Sequence, residues 1–313
     1  MHIPFYVYQD MQIKPLQFAA FIMTYKRPEI AKETIIKLFS QTVPPQKVLI
    51  IDNDQQESAK IIKEELEHFP IDYHAVGYNS GPAGAAKAGL DILVNEGYKW
   101  IGWIDDDDPP VFNDTFEILL KVAITNKHCG CVGTVGQYFD RKKGLMVRVS
   151  DRELEEPGIL AVDNIAGGMC KIVNAEVCIK ENIFPDESLF YGFEELDFDI
   201  RLQTAGYVLL TDRLLYKKHR IHYNRLDLNK TRGGKKEITR LWREFYSTRN
   251  SLIILCKNKF TQALCLSFLR HLLKIFLGFR YGIRYGILNA KIITKGIFHF
   301  LSGKRGAIEF SIK

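Results

Sequence analysis

Acidic residues are absent from Phe245 to Ile308, where 11 Lys and Arg occur. The whole 313-residue chain carries +6, so the remainder stands at −5. Such asymmetry points to a basic end that meets an anionic surface. Paired metal-binding cysteine spacing is missing too. The six cysteines are scattered, and Cys129-Gly-Cys131 is too close for a zinc knuckle and sits in an apolar run. All six read as reduced thiols, mostly in the core, which excludes a disulfide framework. Met1 to Gln17 is mixed and polar, with no basic-then-apolar leader. No uncharged apolar run reaches about 18 residues, so no clear membrane span is expected. Internal repeats and long low-complexity segments are also lacking. What remains, at 46% hydrophobic and 26% charged, is globular composition. The length suffices for a full core plus an extra module.

Continuous apolar runs, Phe18 to Tyr25, Lys47 to Asp52, Ile71 to Val76 and Trp100 to Ile104, read as buried strands. Helices are predicted between them: from Pro28 to about Thr42, from about Glu57 to His68, and from Asn79 to about Asn95. Strands alternating with helices argue an α/β fold with a Rossmann-like parallel sheet. Ligands of such sheets bind beyond the carboxyl ends of the strands, where Thr24, Asp52, Asn79 and Asp105 fall. Further along, Cys129 to Val135 reads as a strand, Tyr138 to Ser150 as a basic hairpin, and Glu194 to Ala205 as an amphipathic helix stopped by Gly206. His219 and His222 are placed in a basic loop.

The most pointed stretch is Trp100-Ile-Gly-Trp-Ile-Asp105-Asp106-Asp107-Asp108-Pro-Pro. Four adjacent carboxylates at the end of a buried strand are costly unless something positive sits there. A divalent cation with phosphate oxygens answers that need, and a solvated acidic turn is the plainer alternative. Asn79-Ser-Gly81-Pro-Ala-Gly84 can let backbone approach a pyrophosphate at a helix start, with Lys87 one turn in; close helix–sheet packing explains the same small residues. Glu194-Glu195 with Asp197 opens a helix, where acids gain from the dipole, and either Glu could deprotonate a hydroxyl. Gly167-Gly168 marks a close backbone approach. A neutral His219 could complete a metal shell, although a lone histidine is usually not a ligand.

Taken in order, Thr24-Tyr-Lys-Arg27-Pro28, Gln41-Thr42, Ile51-Asp52-Asn53, Asn79-x-Gly81, Asp105-Asp106-Asp107-x-x-Pro110, Gly167-Gly168, Glu194-Glu195-x-Asp197, His219 and Tyr246-x-x-Arg249-Asn250 resemble the inverting family 2 glycosyltransferases of GT-A fold. The likeness spans about residues 17 to 300 and is greatest to the bacterial galactofuranosyl- and rhamnosyltransferase branch. It implies Mn2+ or Mg2+ and a nucleotide-diphosphate sugar such as a UDP-sugar. Thr24 and Asp52 would hold the nucleobase, and Arg27, Asn79 and Gly81 would border the diphosphate. Asp105, Asp106 and Asp107 would flank the donor sugar and metal, with Asp105, Asp107 and His219 as ligands. Glu195 would be the base, and Glu194, Gly167 and Gly168 would lie by the acceptor. The base position often carries Asp, the fourth carboxylate Asp108 leaves the metal register open by one residue, and His222 rivals His219. A nucleotidyltransferase and a non-catalytic membrane-bound nucleotide- or glycan-binding protein remain as alternatives.

The organisation expected is an extension over residues 1–16, a catalytic domain over 17–235 and a helical region over 236–313. On one continuous helical wheel Arg270, Lys274, Arg280, Arg284, Lys291 and Lys295 share about a third of the circle. A basic amphipathic helix reads as lying in an anionic membrane surface; packing on the catalytic domain or on a second copy is the alternative. Gly278, Gly282 and Gly286 either admit a neighbour or break the helix. The partners expected are the donor, a lipid-linked glycan acceptor and the cytoplasmic face of a membrane, and no nucleic acid.

Overall fold

A computed structural model describes residues 17–226 and 235–308. The apolar runs become strands because each is covered on both faces: all seven residues of β1 (Phe18–Thr24) and all five of β2 (Val48–Asp52) are buried. With β3 (Ile71–Ala75) and β4 (Trp100–Asp105) they pair in parallel. Register aligns their carboxyl ends, with Thr24 opposite Asp52 and Met23 opposite Asp105. The crossovers are α1 (Pro28–Phe39), α2 (Lys60–Glu65) and α3 (Gly81–Asn95), and α4 (Thr115–Thr125) follows β4.

β5 (Cys129–Val132) leads to a hairpin of β6 (Gly136–Asp140) and β7 (Leu145–Arg148). Next come β8 (Ile159–Val162), β9 (Asn164–Ile165), a 3₁₀ turn at Gly167–Met169 and β10 (Lys171–Asn174). Then follow α5 (Ala175–Glu181), α6 (Glu194–Thr204), β11 (Val208–Asp212) and α7 (Arg213–His222). The large sheet has the order β3-β2-β1-β4-β10-β5-β11-β8, and β7-β6-β9 form a small one. β10 runs antiparallel to both β4 and β5, so the sheet changes direction beside β4. The core fills both faces, around Phe21, Trp103 and Phe198 on one and Phe18, Ile104 and Phe116 on the other.

The tail forms α8 (Trp242–Lys257), α9 (Thr261–Leu277) and α10 (Ile283–Leu301). The single basic helix expected there is two. A 3₁₀ turn at Gly278–Tyr281 and Gly282, at φ +108°, break it, and α10 folds back so that Asn289 Nδ2 donates to the Lys274 carbonyl at 2.8 Å. Glycine reaches that φ at no steric cost. One helix, Thr261–Tyr281, is also long and apolar enough to cross a membrane by length and composition alone. Arg270 and Lys274 interrupt this stretch, so it is not an uncharged apolar run in the sequence. Two smaller differences concern local hydrogen bonding. The second helix is short because the Asp52 carboxylate collects the Asp54 and Ala59 N–H groups and curls the chain ahead of it. His219 and His222 lie on α7, not in a loop, since Asp212 caps that helix by accepting from Leu215 N–H.

Candidate active site

The four aspartates divide into two pairs. Asp106 is buried, and its carbonyl accepts from the Thr34 hydroxyl at 2.6 Å. The Arg27 guanidinium bridges the Asp106 and Asp107 carboxylates, reaching Asp107 at 2.7 Å. Asp105 and Asp108 have no ion-pair partner among the described residues. Their oxygens converge on Gly168, where an added Cβ would stand 2.9 Å from Asp108 Oδ2 and 3.0 Å from Asp105 Oδ2. Burial, then the neighbouring Glu195, Asp107, Asp106 and Asp108, push Asp105 up to about 8. Burial and Asp107 push Asp108 up to about 6, against the pull of Arg225. Asp106 is also raised by burial, although the Thr24 hydroxyl and then Arg27 work the other way.

The base candidates lie across the same turn. Gly192 and Phe193 both adopt positive φ, which swings the chain into α6 at Glu194. Glu195 Oε1 accepts from Gly167 N–H at 3.4 Å, so one 3₁₀ turn touches Glu195 with its first residue and the free aspartates with its second. Glu194 is buried, its Oε2 has no hydrogen-bond partner, and burial with Glu195 and Asp105 raises it well above the usual carboxylate range. One turn further, Asp199 accepts from Ile165 N–H at 2.8 Å and Asn164 Nδ2 at 2.9 Å, and pairs with the buried Lys171. That lattice fixes α6 against the loop it serves. Asp197 points elsewhere, paired with Arg201 and with Lys257 of α8.

α7 closes the Asp108 side. His219 is buried against Tyr223, ring centroids 4.7 Å apart, and burial with Arg225 and His222 lowers it to about 4. Its imidazole is therefore neutral at pH 7. Tyr223 in turn is raised by burial and by Asp108. His222 is exposed and packs edge-on to Phe112. Among the described residues no three His, Cys, Asp or Glu side chains gather as a ready metal cage.

The end of β2 has a different character. Asp52 accepts from Ala59 N–H (2.7 Å), Asp54 N–H (3.0 Å) and Tyr73 Oη (3.1 Å), and is fully buried. Asn79 Oδ1 accepts from Gly81 N–H at 3.0 Å. Gly81 has φ +71°, and a Cβ there would lie 2.1 Å from the Phe190 carbonyl oxygen. Lys87 pairs with Glu187 at the surface rather than facing a pyrophosphate. The structure thus gives Asp52, Asn79 and Gly81 jobs within the fold. Thr24 is buried beside them. Two residues that sequence reasoning left out have spare capacity. Asp54 is buried with Oδ2 unpartnered, and Tyr191 has a half-buried ring near enough to Glu194, Glu195 and Asp105 to feel their charge. Only the acid run of Asp52 to Asp54 could have signalled the first.

A mostly parallel sheet with acids at the end of β4, a direction change at β10 and a carboxylate helix facing both define the GT-A type of glycosyltransferase fold. Residues 19–164 match the family model for Glycosyl transferase family 2. Its sequence is 23% identical over 198 residues to galactofuranosyltransferase GlfT1 of Mycolicibacterium smegmatis, covering 60% of this chain and 65% of that one, a little under two thirds of the relative's length. Among solved structures, mannosyltransferase PcManGT of Pyrobaculum calidifontis, in complex with GDP-Man and Mn2+, matches 95% of this chain and 92% of its own at TM-score 0.54 and 12% identity. S. aureus TarS 1-349 with UDP-GlcNAc matches 95% and 94% at TM-score 0.51 and 12% identity. GalNAc-T7 with UDP, GalNAc and Mn2+ matches 63% and 42% at TM-score 0.52 and 13% identity.

Proposed function

We propose that this chain is an inverting glycosyltransferase that moves a sugar, of galactofuranose or rhamnose type, from a nucleotide diphosphate to a hydroxyl of a growing surface polysaccharide. One observation carries the reading: Gly167 touches Glu195 while Gly168 abuts the unpaired Asp105 and Asp108, so a base and a cation-seeking pair share one turn. The match to the family 2 model and the likeness to GlfT1 support the reaction class and the sugar type.

The residues present fit a hard divalent cation. Asp105 and Asp108 offer converging oxygens, their raised affinity for protons marks an uncompensated negative field, and His219 is neutral as a ligand must be. Asp105 with Asp108 or Asp107 would hold Mn2+ or Mg2+, with His219 on the α7 side. When bound, the ion supplies positive charge beside the leaving diphosphate.

The remaining chemistry belongs to the chain. Glu195 takes the proton of the acceptor hydroxyl while that oxygen attacks the anomeric carbon from the face opposite the diphosphate, which leaves with the bonding electron pair and inverts the centre. The Gly167 N–H orients the carboxylate, and the Asp199–Lys171 lattice keeps α6 in register. Arg27, already bridging Asp106 and Asp107, is placed to meet the diphosphate once a donor enters.

The test is a panel of UDP-, GDP- and dTDP-sugars with Mn2+ or Mg2+ and glycan acceptors, read as the phosphorus product and the anomeric configuration. Nucleoside diphosphate with inverted product is expected. Release of inorganic pyrophosphate with a sugar 1-phosphate and a nucleoside triphosphate would instead identify a nucleotidyltransferase.

A further inference from the structure

We propose that α9 and α10 form a paddle that lies flat in the interface of an anionic bilayer, with its apolar stripes among the acyl chains. The proposal goes beyond the sugar-transfer reading and stands without it.

Leu266, Leu269, Leu273, Phe276 and Leu277 are all exposed, and at 100° per residue they fall within about 100° of one another on α9. On α10, Ile283, Ile287, Phe298 and Leu301 fall within about 60°. Exposure reaches 72% at Phe276, 75% at Ile283 and 69% at Leu301, values that aromatic and branched side chains rarely keep in contiguous stripes facing water. The opposite faces are fixed. On α9, Ser267 and His271 are buried, and the His271 ring hydrogen-bonds Thr248 and Ser251 of α8 at 3.3 and 3.2 Å. On α10, Ile293 and Ile297 pack with Leu252 of α8, and a Cβ at Gly296 would stand 2.9 Å from the Phe245 carbonyl oxygen. Since both helices lie on α8, both stripes point away from it.

Charge selects the occupant. Arg270 and Lys274 border the α9 stripe, Arg280 and Arg284 stand at the joint, and Lys291 and Lys295 continue along α10. No acidic residue occurs between 245 and 308. A second copy seated on this face would bring one basic surface against another. Anionic headgroups meet it with the opposite sign, and apolar burial plus basic flanks is the combination that holds an interfacial helix. α9 meets the composition of a spanning helix, but its polar ties to α8 hold it to the protein. α8 also anchors the base side: Asn250 Nδ2 donates to the Leu189, Tyr191 and Gly192 carbonyls, and Lys257 pairs with Asp197 of α6.

The test uses the full chain with vesicles of phosphatidylglycerol and of phosphatidylcholine, read by co-sedimentation. Binding at least about tenfold tighter to the anionic vesicles, weakened by salt, is expected. Phe276→Ser with Ile283→Ser should weaken it by about tenfold or more, and Arg280→Glu with Arg284→Glu should abolish the lipid preference, both without change in melting temperature because these sites are exposed. If one pair misfolds, the other still decides. A wild-type chain that stays in the supernatant, or stripe variants that bind as wild type, would overturn the proposal. So would a stable dimer that the stripe variants dissociate, or pellets that resist extraction at alkaline pH, since those outcomes identify a second copy or a spanning helix. Vesicle binding without sugar transfer would sink the proposed function and leave the paddle intact.

Discussion

Asp52 and Asp105 are the last residues of β2 and β4, the parallel strands that flank β1 on either side. Each ends an apolar run, and each is followed by further polar or acidic residues. Their surroundings are opposite. Asp52 has two backbone N–H groups and a phenol; Asp105 has no ion-pair partner among the described residues and is faced by Glu195, its neighbouring aspartates and a glycine that makes room for it. A carboxylate satisfied by its own chain builds a loop. One left unsatisfied in a half-buried crevice is kept for something that arrives from outside.

That contrast can be broken in several ways. The largest effect belongs to the group facing Asp105 across the glycine turn: Glu195→Gln should lower kcat by about 10²–10⁴-fold with nucleotide affinity retained. Turnover near wild type, with the chain folded, would remove Glu195 as the base.

Asp105→Asn and Asp52→Asn form the direct comparison. The first should cut transfer by about 10²-fold or more while the metal-free protein melts no lower than wild type, because it relieves repulsion. The second puts an amide NH2 against a buried N–H donor and should cost about 1–3 kcal/mol of stability, seen as a lower Tm, with activity per folded molecule largely kept. If the two assignments exchange outcomes, the reading of both strand ends is wrong.

Gly168→Ala should weaken Mn2+ binding about tenfold in calorimetry, since its Cβ displaces two carboxylates, and leave the melting temperature nearly unchanged because those side chains can give way. Unaltered Mn2+ affinity would show that the ion is held elsewhere.

The smallest effect is a pH slope. Asp105 in the folded protein titrates at about 8, above its unfolded value of about 4. Stability from the protonated form is complete below the unfolded value and is lost as pH rises through 8. His219 and His271, lowered by burial to about 4, act the other way, but only as pH falls below about 6.5. Between pH 6.5 and 8 the metal-free protein should therefore lose a few degrees of Tm, Asp105→Asn should reduce that slope while the raised Glu194 keeps part of it, and Mn2+ affinity should climb over the same interval as the competing proton leaves. A flat wild-type profile would contradict the raised titration of Asp105.

The strands of the large sheet were legible because burial on both faces leaves an uninterrupted apolar run, a signal local to each segment. So were the acid run after Ile104 and the acid-led helix at Glu194. What stayed hidden depends on distant chain. Which aspartates pair with cation was decided by Arg27, 80 residues before Asp107. Which pair stays free was decided by Gly168, brought in by an antiparallel strand that the β-α-β pattern does not announce. The backbone curl that consumes Asp52 has no residue signature of its own. The glycines of the tail did announce an interruption, and φ at Gly282 chose between the two readings offered.

The contact between Gly81 and Phe190 has a mechanical meaning. Ala83 N–H also donates to the Phe190 carbonyl at 3.3 Å, and Asn53 Nδ2 to the Gly81 carbonyl at 3.1 Å. The end of β2, the start of α3 and the segment that turns into α6 are therefore riveted at one point. A side chain added at Gly81 would push on the Phe190 carbonyl and so on the chain that leads into Glu194, which makes this glycine a shared support for both sides of the crevice.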